Sequence, residues 1–166
     1  MRPLFAALAG VTAFWLQVTV MPGFALFGVH PNLPLMTVAL FGMRWLHPGL
    51  YVYAALAGLA LDSFSHGVLG VYGISFLLTA ALANVAGILI YEQNPLFTAL
   101  AVSVLTLAEG LASLTLLSLL GSEVAWAAWL PGRVLPLAIF HGALTPLIFR
   151  TLRRLESALR LTPSPS

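Results

Sequence analysis

Polar and charged residues in this sequence fall in short clusters, and the stretches between them are almost wholly apolar. The helix breakers sit in the same clusters: Met21-Pro22-Gly23, His30-Pro31-Asn32, Arg44 with His47-Pro48, and Glu92-Gln93-Asn94-Pro95. Blocks without a polar stripe read as helices that meet lipid or one another on every side, because a water-facing helix needs a polar face. Crossing a bilayer core takes about 20 apolar helical residues, with a working range of about 17–25. On that measure the pattern predicts six helices, over residues 4–20, 33–45, 49–64, 69–91, 96–120 and 133 to about 160. Residues 121–132 read as a linker, with Trp126 and Trp129 suited to the headgroup belt. Residues 162–166 read as a disordered tail after a single transmembrane domain over 1–161. The second and third helices are shorter than a comfortable span. One re-entrant pair and four crossings is therefore the alternative to six, although short helices can thin the bilayer.

Composition sharpens this picture. Of 166 residues, 60% are hydrophobic and only 7% charged, where a soluble domain carries roughly a quarter. With a mean hydropathy of +1.00, the surface of such a chain must face lipid, and the expected fold class is an all-α polytopic membrane bundle. The N-terminal apolar run lacks a small-residue cleavage site and reads as a retained span. The absence of Cys removes disulfides, thiolate catalysis and Cys-based metal sites. A net charge of +2 is too small to point to nucleic acid. With the N-terminus cytoplasmic, Arg2, Arg44, Arg150, Arg153, Arg154 and Arg160 fall inside and only Arg133 outside. That bias places both termini in the cytoplasm, and four crossings would give the same ends.

Few residues carry candidate chemistry. Glu109 is the one acid well inside an apolar helix, so it must be neutral, paired, or turned to a polar interior. A structural role, bonded to Ser113, Thr106 or another helix, is favoured over a proton or ligand site. Asp62 closes the third helix in Gly58-x3-Asp62-x7-Gly70, where an acid opposes the helix dipole. It is expected to collect free amides near Gly67 and Gly70 and organise that turn; a partner contact is the second reading. His30, His47, His66 and His141 are too dispersed for a metal site, the serines form no nucleophile elbow, and no cofactor or enzymatic activity is expected. Ala6-x3-Gly10, Ala54-x3-Gly58 and Ala83-x3-Gly87 put small residues on one helix face, which permits close backbone approach in lipid. Of these, the Ala6-Gly10 face is the candidate for external docking. Arg150, Arg153 and Arg154 are expected to anchor to anionic lipid, with a cytoplasmic protein contact as the second reading.

Three stretches taken together, His30-Pro31-Asn32-Leu33, the segment from Gly58 through Asp62 to Gly70, and His141 through Pro146 to Arg150, resemble the rod shape-determining protein MreD family. The similarity runs in order along the chain, and the intramembrane acid Glu109 fits it. The resemblance implies a non-enzymatic protein of the bacterial cytoplasmic membrane that binds MreC and, through it, acts with MreB, RodA and a class B penicillin-binding protein in peptidoglycan synthesis and cell shape. It also implies a fold similar to the substrate-binding subunits of energy-coupling-factor vitamin transporters. A small-molecule-binding transporter subunit is therefore the alternative function. Against it stands a thin outer-side polar inventory of Asp62, Ser63, Ser65, His66, Glu123 and Arg133.

Overall fold

A computed structural model describes residues 2–24, 28–44, 46–64, 68–89 and 94–158. The expectations for Trp45, Ser65-His66-Gly67, Tyr91-Glu92-Gln93, Arg160 and the 162–166 tail lie outside the described residues. Among the described residues the architecture is all-helical, with no sheet: α1 Arg2–Thr19, α2 Leu33–Arg44, α3 Gly49–Phe64, α4 Val71–Leu89, α5 Pro95–Leu119 and α6 Trp126–Ala158. A single 3₁₀ turn, Met21–Gly23, follows α1.

The helices differ sharply in length. Among the described residues, only Val71–Ile88 in α4, Pro95–Leu119 and Trp126–Ala158 are long and apolar enough to cross a membrane by length and composition. The expected six spans are thus met by six helices but three span-length ones. α2 has 12 residues, which at about 1.5 Å per residue rise roughly 18 Å, against about 30 Å of hydrocarbon.

Burial explains why α2 does not need that length. Nine consecutive residues, Pro34 to Gly42, are buried, so α2 has no face turned outward there. It packs against α1, α3, α4 and α5 and supplies Leu35, Met36, Val38, Leu40 and Phe41 to the core, where Phe76 of α4 and Val102 of α5 meet them. The outer faces of the other helices are apolar and open: Leu4, Leu8, Val11 and Trp15 on α1, and Ile74, Val85 and Ile88 on α4. Contiguous apolar surface of this kind is not carried into water by a monomeric soluble protein.

Small residues set the tight seams. On the α2–α4 seam, a Cβ at Gly42 would fall 2.6 Å from the Ala83 Cβ, and one at Gly87 would collide with the Met43 carbonyl. On the α3–α4 seam, a Cβ at Gly58 would lie 2.5 Å from the Tyr72 carbonyl oxygen and 2.6 Å from the Gly73 Cα. The Ala6-Gly10 face turns inward as well. Gly10 is buried, a Cβ there would meet the Tyr53 ring at 2.5 Å, and Ala6 packs on the core. The open face of α1 is instead the Leu4–Leu8–Val11–Trp15 side.

Hydroxyl groups inside these helices are satisfied locally. Thr12, Thr79, Thr98, Ser103, Thr106 and Thr145 each donate to the carbonyl four residues back. This is the ordinary way for a Ser or Thr to sit in an apolar helix.

The sixth helix starts earlier than the apolar pattern indicated. Residues 126–132, read as linker, are helical: Trp126–Trp129 is α-helical and Leu130–Val134 forms a π-turn. Pro131-Gly132 looks like a break, but the wide turn absorbs it. The Leu135 amide reaches the Leu130 carbonyl five residues back, so the ladder continues past the position where proline has no N–H. At the start of α5, Pro95 is likewise the first helical residue, and the Asn94 side chain accepts from the Leu96 amide at 2.9 Å.

Gly58→Ala is expected to lower stability by about 1–3 kcal/mol through overpacking against rigid backbone. Gly132→Ala, built into open space, is expected to be near neutral. Thermal unfolding of the two purified variants in the same detergent checks the difference.

Candidate functional site

The polar residues of this bundle first serve its helix ends. A helix leaves its first amides without intrahelical partners, and in apolar surroundings each must be matched by another group. At the start of α4, Asp62 does this from the end of α3: Oδ2 accepts from Gly70 N–H at 2.9 Å and Gly73 N–H at 3.2 Å, and Oδ1 from Tyr72 N–H at 3.0 Å. The carboxylate opposes the dipole of its own helix but sits at the favourable end of the next. Gly58, one turn earlier on the same face, lets the first turn of α4 come close enough to be reached. Gly70, at φ +97°, turns the chain into it.

The start of α2 is completed by residues from across the chain. Asn32 N–H donates to His141 Nε2 at 2.8 Å, Leu33 N–H to Gln17 Oε1 at 2.8 Å, and Leu35 N–H to the Asn32 side chain at 3.1 Å. Pro34 has no amide to satisfy. Because Nε2 accepts, the proton of the fully buried His141 ring is on Nδ1, which lies 2.9 Å from Thr106 Oγ1. The Thr106 hydroxyl in turn donates to Val102. His141, isolated in the sequence, is thus the joint between α2, α5 and α6.

Glu109 is buried, at 4% exposure, and Ser113 Oγ lies 2.8 Å from its Oε1. Ser113 Oγ is also 2.8 Å from Ser75 Oγ, and Ser75 donates to the Val71 carbonyl. Ser113 donates to the carboxyl and meets Ser75 with the same oxygen, so the three side chains form one chain of contacts. The acid therefore ties α5 to α4.

These groups border a cavity of about 570 Å³ at the end of the bundle where α2 begins. Thr106, Glu109, Gly110 and Ser113 give its α5 wall, Tyr72 its α4 wall, and Asn32 and His30 the wall beside α2. Apolar side chains such as Leu61, Phe64, Leu117 and Leu137 fill the rest. The π-turn supplies Arg133, whose guanidinium stacks 5.2 Å from the centroid of the Trp129 ring. His30 Nδ1 faces the Met21 and Phe24 carbonyls at 3.0 and 3.2 Å and pins the loop on that side.

The opposite end is closed by a salt bridge between Arg44 of α2 and Glu156 of α6, 2.5 Å apart. Glu156 is 97% removed from contact with solvent, its side chain being 3% exposed. Arg44 and Arg153 each lie 5.5 Å from the Phe149 ring centroid, while Arg150 and Arg154 are exposed. Arg153 thus belongs in part to the packing of α6.

The structure brings Gly58, Asp62 and Gly70 together in one unit and puts Glu109 in the cavity wall, while Ala6 and Gly10 form a seam. Sequence reasoning missed Gln17, Asn32 and Tyr72 as residues that share the cavity wall with Glu109, and His141 as the partner of Thr106 and Asn32. One signal was available: Thr106, Glu109 and Ser113 recur at i, i+3 and i+7, a polar stripe on one face of an otherwise apolar helix. Among the described residues, no three His, Asp or Glu side chains gather as metal ligands would.

No protein-family model, curated protein or solved structure matches the chain. The class the fold defines is an all-helical bundle of membrane type, with a mainly apolar cavity that carries a few polar groups at one end.

Asp62→Ala should strand three amides at the start of α4 and cost about 1–3 kcal/mol, with Asp62→Asn falling between it and the parent. Thermal unfolding gives the order of the three proteins. Faster hydrogen exchange at Gly70, Tyr72 and Gly73 locates the loss.

Proposed function

We propose that this chain is a non-enzymatic membrane scaffold of the MreD type. All six helices are embedded, both ends are cytoplasmic, and the chain binds an MreC-type partner in the bacterial cytoplasmic membrane. Through that partner it would act with MreB, RodA and a class B penicillin-binding protein. The observation that supports this reading best is the pairing of Asn32 with His141 across 109 residues of sequence. Two of the three stretches that carry the family resemblance meet in that bond, and the third is the Gly58-Asp62-Gly70 unit. The resemblance therefore rests on residues with specific work in the fold, in place of generic apolar helix. The exposed Arg150 and Arg154 fit a cytoplasmic surface against anionic lipid, at about 1 kcal/mol each.

The cavity favours a second reading, a small-molecule-binding subunit of the energy-coupling-factor type. Its polar lining is richer than the sequence inventory, because Gln17 of α1, Asn32 just before α2, and Thr106 and Glu109 of α5 come to it.

Affinity capture of the tagged protein from bacterial membranes, read by mass spectrometry, is expected to recover an MreC-type protein as the main partner. Recovery of an ATPase-bearing transporter complex in its place would overturn the scaffold reading in favour of the second. For topology, single cysteines at Gly23 and Glu123 should react with an impermeant reagent from outside intact cells, and one at Ser157 should not. Labelling at Ser157 would reverse the orientation.

A further inference from the structure

The cavity has one permanent cation in its wall. Among its lining residues only Arg133 and Glu109 are of the Arg, Lys, Asp or Glu types. Glu109 accepts from Ser113, whose hydroxyl oxygen also meets Ser75. The nearby Asp62 has both oxygens engaged by the amides of α4. Arg133 is different. Among the described residues no carboxylate lies within 4 Å of its guanidinium, which lies against the face of Trp129 with the Tyr72 hydroxyl and, farther off, Glu109 within electrostatic reach.

Its position is a product of the backbone. Arg133 lies in the π-turn Leu130–Val134, a single-turn distortion of the kind that often marks a functional position in a helix. A guanidinium stacked on an indole presents five in-plane N–H donors, more than the Tyr72 hydroxyl can take up, which suits a carboxylate, phosphate or sulfonate arriving edge-on. Behind it the cavity is mainly apolar, then polar again at Glu109, Ser113 and Thr106. At about 570 Å³ it has the size of a site for a small organic ligand, commonly about 300–1,000 Å³.

From this arrangement we infer that the cavity binds a small amphipathic organic anion. The acid group pairs with Arg133 beside Trp129, the apolar body lies against Leu117 and Leu137, and a hydroxyl or amide at the far end meets Glu109 and Ser113. The inference stands on these residues and holds under either reading of the protein's function. Its shared chemistry, an acid group on Arg133, has two sources, a water-borne acid or a lipid headgroup.

The absence of Cys from the chain makes a direct test simple. Ser113→Cys places a thiol in the cavity wall with little change in volume, and Leu117→Cys provides a second site should the first variant be unstable. The purified protein in neutral detergent is treated with an anionic (sulfonatoethyl) or a cationic (trimethylammonioethyl) methanethiosulfonate. Rates are normalised to those of an exposed Glu123→Cys variant. The anionic reagent should react faster by about tenfold or more, the range expected for a charge focused by apolar walls. Arg133→Gln should abolish that preference and Arg133→Lys should keep most of it. Equal rates for the two reagents, a faster cationic reagent, or thiols inert to both at 113 and 117 would overturn the inference.

A protection arm then separates the sources. Slowing by 3-(4-hydroxyphenyl)propionate, but not by its methyl ester, assigns the site to a water-borne acid. Slowing by phosphatidylglycerol but not phosphatidylcholine, without an effect of the soluble acid, assigns it to a lipid headgroup. No protection by either acid overturns the proposal. Partner capture from membranes is a separate measurement, so failure here and failure of the scaffold reading are told apart.

Discussion

The carboxylate of Asp62 holds the first turn of α4, and α4 is the helix against which α2, α3 and α5 all pack. In water the amides of Gly70, Tyr72 and Gly73 would find solvent. At the end of an apolar bundle they need an acceptor from the protein, and leaving a polar group unmatched costs about 1–3 kcal/mol even in moderately polar surroundings. One carboxylate meets three of them because Gly58, a turn earlier, brings the α4 backbone within reach. Close packing and capping are here a single device. A side chain at 58 would push away the amides that 62 has to hold.

The same constraint organises α2, with a different solution. Its starting amides are satisfied by Gln17 from α1, by Asn32 just before the helix, and by His141 from α6. A short helix with nine consecutive buried residues cannot use solvent at its end, so its caps come from whichever helices surround it. This is why residues as far apart as Asn32 and His141 work as one unit. At the other end of α2, Arg44 is drawn to Glu156, and Phe149 lies beneath the guanidinium. Both ends of the central helix are therefore tied to α6, one by a neutral hydrogen bond and the other by an ion pair.

Much of this was legible in the sequence. The apolar blocks gave the six helices, and their breakers gave most of the ends to within a few residues. The misfit of Asp62 with its own helix dipole pointed to amides near Gly70, where the structure places them. Three things were not legible, for physical reasons. An all-apolar pattern has no direction, so it cannot separate a helix buried among others, such as α2, from one bathed in lipid. Pro131-Gly132 carries the ordinary signature of a break, and only the i→i+5 turn shows how helix continues through it. The cavity joins the Thr106-Glu109-Ser113 stripe of α5 to Gln17, Asn32, Tyr72 and Arg133 from elsewhere in the chain, and no pattern in the sequence shows that these meet.

The length of α2 connects these features. At 12 residues it rises about 18 Å, whereas the 25 residues of α5 beside it rise about 37 Å. A central helix that stops short of its neighbours leaves unfilled space at its ends. At the Arg44 end the ion pair and the Phe149 ring occupy that space. At the Asn32 end lies the cavity, bordered by Asn32 and by Gln17 of α1. The polar side chains that border it are largely the ones that terminate α2 or cross-link α5 to α4 and α6, which accounts for the polar groups in a mainly apolar wall. Arg133 is the exception, since no cap in this structure requires it. It enters through a π-turn, which carries the guanidinium into the cavity wall beside Trp129, Tyr72 and Glu109, with no carboxylate in salt-bridge contact among the described residues.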